Sequence, residues 1–63
     1  MKAVELKTLK SGDVFKRKPD AKTIFCRNHY AREIKRYSCI DYEDMNREIF
    51  LKGSTIVYID FDF

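Results

Sequence analysis

Short strand-like runs separated by short polar breaks dominate this 63-residue sequence and restrict its possible folds more than any other feature. β-Branched and aromatic residues concentrate in these runs, and turn residues such as Pro19 and Gly53 lie between them. The pattern predicts five strands, at residues 14–18, 23–30, 34–42, 47–52 and 55–63. No segment keeps a helical period long enough for the crossover that parallel strands need. Neighbouring strands should therefore pair antiparallel as a meander.

The two ends of the chain add detail to this meander. Leu6 and Leu9 have helical spacing, which predicts a lead-in turn before the first strand. The final run alternates apolar and polar residues, so it should present one face to the core and one to solvent. The predicted core face consists of Thr55, Val57, Ile59, Phe61 and Phe63. The opposite face consists of Ile56, Tyr58, Asp60 and Asp62.

The size of the chain restricts how the sheet can bury a core. A chain of this length buries only about 60% of the surface that it exposes when unfolded. A flat sheet would leave two edges open, whereas curling removes most of this exposure. We therefore predict an all-β fold, a five-stranded antiparallel meander curled into a small SH3-like barrel, with residues 1–63 as a single domain. An OB-fold fits this sequence less well than an SH3-like barrel, since it normally has more residues and a helix between its third and fourth strands.

Three segments resemble a known group of proteins. The sequences LKSGDVF, YSCIDYEDMNREIFLKG and VYIDF are similar to those of small SH3-like β-barrel proteins of bacteria and phage. The resemblance covers most of the chain and implies the barrel fold. It implies no activity and no functional residue, because an entry turn with glycine followed by a core phenylalanine is shared by many barrels.

The composition argues against an enzyme. Most apolar side chains of so short a chain must serve one core, which leaves few to wall a deep substrate pocket. The sequence has one histidine, His29, and no pattern in it indicates a Ser-His-Asp set around that residue. Cys26 or Cys39 with His29 would make a formal nucleophile pair, but no third, orienting group is evident. We expect neither catalysis nor a cofactor.

The two cysteines also raise the question of metal. Cys26 and His29 have the spacing of a ligand pair, and Cys39 could add a third ligand, yet a structural zinc site needs four. We therefore expect no metal site and two reduced, small apolar side chains. The charged N-terminal residues do not form a signal peptide, and no run approaches the ~20 apolar residues of a membrane span. The sequence predicts a cytosolic protein that does not act at a membrane.

Charge is distributed unevenly along the chain. Residues 1–36 contain eleven Lys/Arg against four Asp/Glu, and residues 37–63 contain two against six, within a total net charge of +3. Cross-strand salt bridges between the halves would explain this without any ligand. The functional alternatives are a positive face for nucleic acid and a negative face for a protein.

The nucleic-acid hypothesis places cations of the first loop and of the second hairpin on one face, interleaved with aromatic rings for base stacking. Its cations are Lys16, Arg17, Lys18, Lys22, Arg27, Arg32, Lys35 and Arg36. Its rings are Phe25, His29, Tyr30 and Tyr37. Single-stranded nucleic acid is the leading predicted ligand of a non-enzymatic binding or adaptor module.

The alternative is a protein-interaction module. It uses an acidic set around two tyrosines to bind a basic partner or a second copy of the chain. The carboxylates are those of Asp41, Glu43, Asp44, Asp60 and Asp62, and the tyrosines are Tyr42 and Tyr58. Asp60 and Asp62 have a structural alternative, because carboxylates at a sheet edge also prevent edge-to-edge pairing.

Overall fold

Six short antiparallel strands make up the fold in the computed structural model, which describes residues 1–61. They are β1 (Lys2–Glu5), β2 (Val14–Phe15), β3 (Phe25–Ala31), β4 (Arg36–Asp41), β5 (Glu48–Leu51) and β6 (Ile56–Ile59). A single 3₁₀ turn, Leu6–Thr8, follows β1, and the described residues contain no α-helix. The all-β prediction is confirmed. The orientations predicted for Asp62 and Phe63 lie outside the described residues.

A four-stranded sheet in the order β2-β3-β4-β5 forms the larger part, with the predicted meander topology. The register pairs Phe25 with Asp41 and Ala31 with Arg36, and a β-bulge interrupts it between Arg27 and Tyr30. The β3–β4 turn ends at Lys35, whose φ of 55° is left-handed. Strand β4 consequently starts at Arg36 and not at residue 34, since a left-handed residue cannot continue a pleated strand.

Strands β1 and β6 form a separate two-stranded ribbon, so the prediction of five strands is wrong by one. The ribbon joins the larger sheet through an isolated bridge, in which the backbones of Lys16 and Tyr58 exchange N–H···O bonds of 2.9 and 2.8 Å. A closed barrel would also need pairing between β1 and β5, and residues 1–61 show none. The two sheets form an open arrangement.

The core lies between the ribbon and one face of the larger sheet. Its buried side chains are Leu6, Leu9, Phe15, Phe25, Cys39 and Val57. The rings of Phe15 and Phe25, which face each other in register, stack with centroids 6.0 Å apart. The predicted core orientation of Val57 is confirmed, and Ile59 packs against the same cluster. Strand β6 ends at Ile59 because Asp60 has a φ of 58°.

No helix among residues 1–61 is long and apolar enough to cross a bilayer.

Candidate nucleic-acid interface

The structure separates the predicted cations into two groups at opposite ends of β3. Arg17, Lys18 and Lys22 lie in the loop before this strand, whereas Arg32 and Lys35 lie in the turn after it. Seven residues of strand span about 20 Å. The two groups therefore do not converge on one site, and each must be judged by its own surroundings.

The first group lines a groove of about 400 Å³, which we call the loop groove. Arg17 and Lys18 line it from the β2–β3 loop, and Arg47 lines it from the loop before β5. The remaining lining residues are Ala21, Thr23, Phe25 and Thr55. Phe25 is buried in the core, so the polar side chains that line the groove are those of the three cations and of the two threonines. No carboxylate of residues 1–61 lines the groove.

Arg47 is the groove residue that sequence reasoning missed. It lies in the half of the chain counted as acidic, and only the fold brings it beside Arg17. Its guanidinium is 4.0 Å from the Asp41 carboxylate, and its side chain is 63% exposed. Since such an exposed and long ion pair contributes little, much of the positive charge of Arg47 remains available to a ligand.

Two other first-loop cations lie outside the groove. Lys16 follows β2, and its ammonium lies 4.8 Å from the centroid of the Phe61 ring. Its neighbour Arg17 lines the groove, as alternation along an extended chain requires. Lys22 is exposed but is not among the lining residues.

The hairpin end forms a second concavity, of about 490 Å³. His29, Tyr30 and Arg32 line it together with Ala31, Glu33, Ile34 and Phe50. Tyr30 is 43% exposed, and its ring lies 4.8 Å from that of Tyr37. Lys35 and Arg36 follow closely in the sequence and are exposed, but they do not line this concavity. Because the Glu33 carboxylate would repel a phosphate, this concavity is less suited to phosphate binding than the loop groove.

Arg27 differs from the other predicted cations because it is half-buried in β3. Its guanidinium carbon lies 4.3 Å from the centroid of Tyr37, and its buried Nε has no hydrogen-bond partner in the described structure. Its backbone N–H donates to the Asp13 carbonyl at 2.8 Å. Arg27 is therefore held within the fold, and its contacts are those of a packing residue.

The predicted acidic set is also divided. Asp41 is buried, and its Oδ1 accepts the backbone N–H groups of Glu43 at 2.9 Å and Asp44 at 3.4 Å. Tyr42, Glu43 and Asp44 are exposed on the same loop. Tyr58 is half-buried in β6 and Asp60 follows that strand, so two strands of the larger sheet separate them from Tyr42. Of the predicted acidic set, the structure therefore brings together only residues 41–44.

The cysteines lie on opposite faces of the larger sheet. Cys26 pairs with Ile40 and Cys39 pairs with Arg27, so alternation points the two thiols to different sides. Burial raises the pKa of the Cys39 thiol to about 11, which keeps it neutral and a poor nucleophile. Among residues 1–61, no three His, Cys, Asp or Glu side chains come together as a metal site.

Comparisons with protein-family models, with curated proteins and with solved structures find no match to this chain, so the resemblance to small barrel proteins stays a prediction.

Proposed function

We propose that this protein is a non-enzymatic binding module that holds single-stranded nucleic acid by its phosphates in the loop groove. The observation that carries the proposal is the convergence of Arg17, Lys18 and Arg47, from two separate loops, on one groove. Like charges repel, so three cations around one groove form a site that an anion stabilises. Threonine hydroxyls at its wall add donors for phosphate oxygens.

The groove also favours a particular kind of recognition. Its floor is the buried Phe25, which is too covered to stack on a base. Affinity should therefore come from phosphate contacts and be nearly independent of base sequence. Among the rings of the nucleic-acid hypothesis, Tyr30 is exposed and could stack on a base, and it lies at the other end of β3. A strand long enough to reach both ends should bind more tightly than a short one.

The remaining parts of the proposal concern the cellular compartment, the fold and a second candidate ligand. We propose that the module acts in the cytosol with both thiols reduced. We also propose that its two sheets are an open form of the SH3-like arrangement expected from the sequence, with ligands bound at the ends of the strands. A protein partner is the second candidate ligand, and the exposed Tyr42 beside Glu43 and Asp44 favours it.

Fluorescence anisotropy of labelled oligonucleotides tests the nucleic-acid proposal. Three phosphate contacts predict a slope of about −2 for log K against log salt, or about a hundredfold loss of affinity over a tenfold rise in salt. The double variant Arg17→Gln/Lys18→Gln should reduce that slope to less than half of its value. No binding to mixed-sequence strands at low salt would exclude the proposal.

A charge-matched variant separates the groove from general electrostatics. Lys2→Gln/Lys10→Gln removes the same net charge from exposed positions that do not line the groove. It should keep most of the affinity at each salt concentration. Equal losses in both double variants would mean that the net charge, and not the groove, attracts the strand.

A further inference from the structure

The larger sheet has a second apolar face, which the other parts of residues 1–61 cover only in part. The register places Val14, Cys26 and Ile40 side by side across β2, β3 and β4. Their sequence neighbours Phe15, Phe25 and Cys39 point the other way and are buried in the core. Val14, Cys26 and Ile40 are only half-buried, because the ribbon packs on the opposite side of the sheet. We call this side the outer face.

A concavity of about 400 Å³ lies on the outer face, at the C-terminal end of β4. Cys26, Ile40, Tyr42 and Met45 line it, together with Asn28 and Asp41. Met45 is 78% exposed and Tyr42 is 58% exposed. Large side chains exposed together around a hollow are typical of an interaction site, and the flexible methionine can adapt to the shape of a partner.

The charges around this concavity are negative. Glu43 and Asp44 are exposed between Tyr42 and Met45, and Glu48 faces Ile40 in register. Glu48 also accepts a hydrogen bond from the buried hydroxyl of Ser38, which holds its carboxylate against the outer face. Arg47 offsets the charge of Asp41, whose carboxylate lies 4.0 Å from its guanidinium, but its side chain lines the loop groove and not this concavity. Lys16 contacts Phe61 and is not among the residues that line the concavity.

We propose that the outer face docks a basic segment of another protein, with an apolar side chain of the partner in the concavity and lysines or arginines beside Glu43, Asp44 and Glu48. Charge complementarity selects this occupant. A second copy would place the same carboxylates against each other, and nucleic acid would place phosphates against them. The concavity and the loop groove share no lining residue, although the ion pair between Asp41 and Arg47 joins their margins.

Three synthetic peptides provide the probe, with backbone amide chemical shifts as the measurement. Lys-Lys-Leu-Phe-Leu-Lys-Lys combines the expected charge and apolar anchor, Glu-Glu-Leu-Phe-Leu-Glu-Glu reverses the charge, and Lys-Lys-Ser-Ser-Ser-Lys-Lys removes the anchor. Only the first should shift the amides of Cys26, Tyr42 and Met45. Shifts at Arg17 and Lys18, equal effects of all three peptides, or no shifts would overturn the proposal.

Variants of the protein sharpen this test. Met45→Ser should weaken the basic apolar peptide about tenfold, since it removes the burial of one large apolar side chain. The control Ile56→Ser changes another exposed large apolar side chain, on β6, and should leave the affinity unchanged. Glu43→Lys/Asp44→Lys should transfer the preference to the acidic peptide, whereas Asp20→Lys/Glu33→Lys should not.

Self-association gives a distinguishable result. If the outer face bound a second copy, the shifts of Cys26 and Met45 would depend on protein concentration without any peptide. That outcome would replace the proposed partner by a dimer. Oligonucleotide binding by the Met45→Ser variant should be unchanged, so failure of either proposal leaves the other open to its own test.

Discussion

The guanidinium of Arg27 lies over the ring of Tyr37, 4.3 Å from its centroid, within the half-buried part of β3 and β4. Tyr37 contacts Tyr30 on one side, and a Cβ at Gly53 would lie only 3.1 Å from its ring. The guanidinium therefore packs on a ring that is itself held between Tyr30 and the backbone of Gly53. This arrangement gives Arg27 a structural role that differs from that of the exposed cations in the loop groove.

The first prediction concerns this pair. Arg27→Met keeps an unbranched apolar stem but removes the guanidinium and its charge, and Tyr37→Leu removes the ring. A double-mutant cycle by urea unfolding should give a coupling free energy of about 0.5–1 kcal/mol, which is typical of a cation–π contact. Tyr37→Phe is the control, because it retains the ring. A cycle that combines it with Arg27→Met should therefore give a coupling free energy near zero. A coupling indistinguishable from zero would show that the stack is incidental.

The second prediction concerns the carboxylate of Asp41. Asp41→Ala leaves the N–H groups of Glu43 and Asp44 without their acceptor, so it should cost about 1–2 kcal/mol of unfolding free energy. Amide hydrogen exchange at these two positions should become faster than in the unmodified protein. Asp41→Asn retains an oxygen acceptor and loses only the long ion pair to Arg47, so it should be much milder. Equal damage by both substitutions would assign the effect to charge instead.

Local sequence patterns predict the strands of the larger sheet because each pairs with its neighbour in the chain. Strands β4, β5 and β6 lie within the predicted runs and are shorter than them. Two of the ends are set by left-handed backbone at Lys35 and Asp60, which alternation does not reveal. Strand β1 was missed because its partner, β6, lies more than fifty residues away, and four residues of mixed polarity give no local signal.

The same limit applies to the candidate site. The sequence identifies the cations of the first loop but not the direction in which each side chain points. Arg17 lines the groove and Lys16 contacts Phe61, although they are neighbours in the chain. Arg47 belongs to the site only because the β4–β5 loop folds back beside the β2–β3 loop. Counting charge by halves cannot detect such a long-range approach.

The third prediction concerns the dependence of stability on alkaline pH. Burial raises the pKa of Cys39 in the folded protein to about 11, from an ordinary value of 9.0. Below pH 9 the thiol is protonated in both the folded and the unfolded state, so it does not make the free energy of unfolding depend on pH. Above pH 9 the unfolded state releases this proton first and so binds fewer protons than the folded state. The free energy of unfolding should therefore fall as pH rises from about 9 to about 11.

Two cysteine variants isolate the contribution of the Cys39 thiol to this pH dependence. Cys39→Ala removes the buried thiol and should flatten the fall, leaving a constant loss from the small cavity. Cys26→Ala removes the half-buried thiol of the opposite face and should keep the slope of the unmodified protein. Urea unfolding of all three proteins across this pH range measures the difference. Parallel profiles for Cys39→Ala and Cys26→Ala would contradict the raised pKa, because only one of them retains the buried thiol.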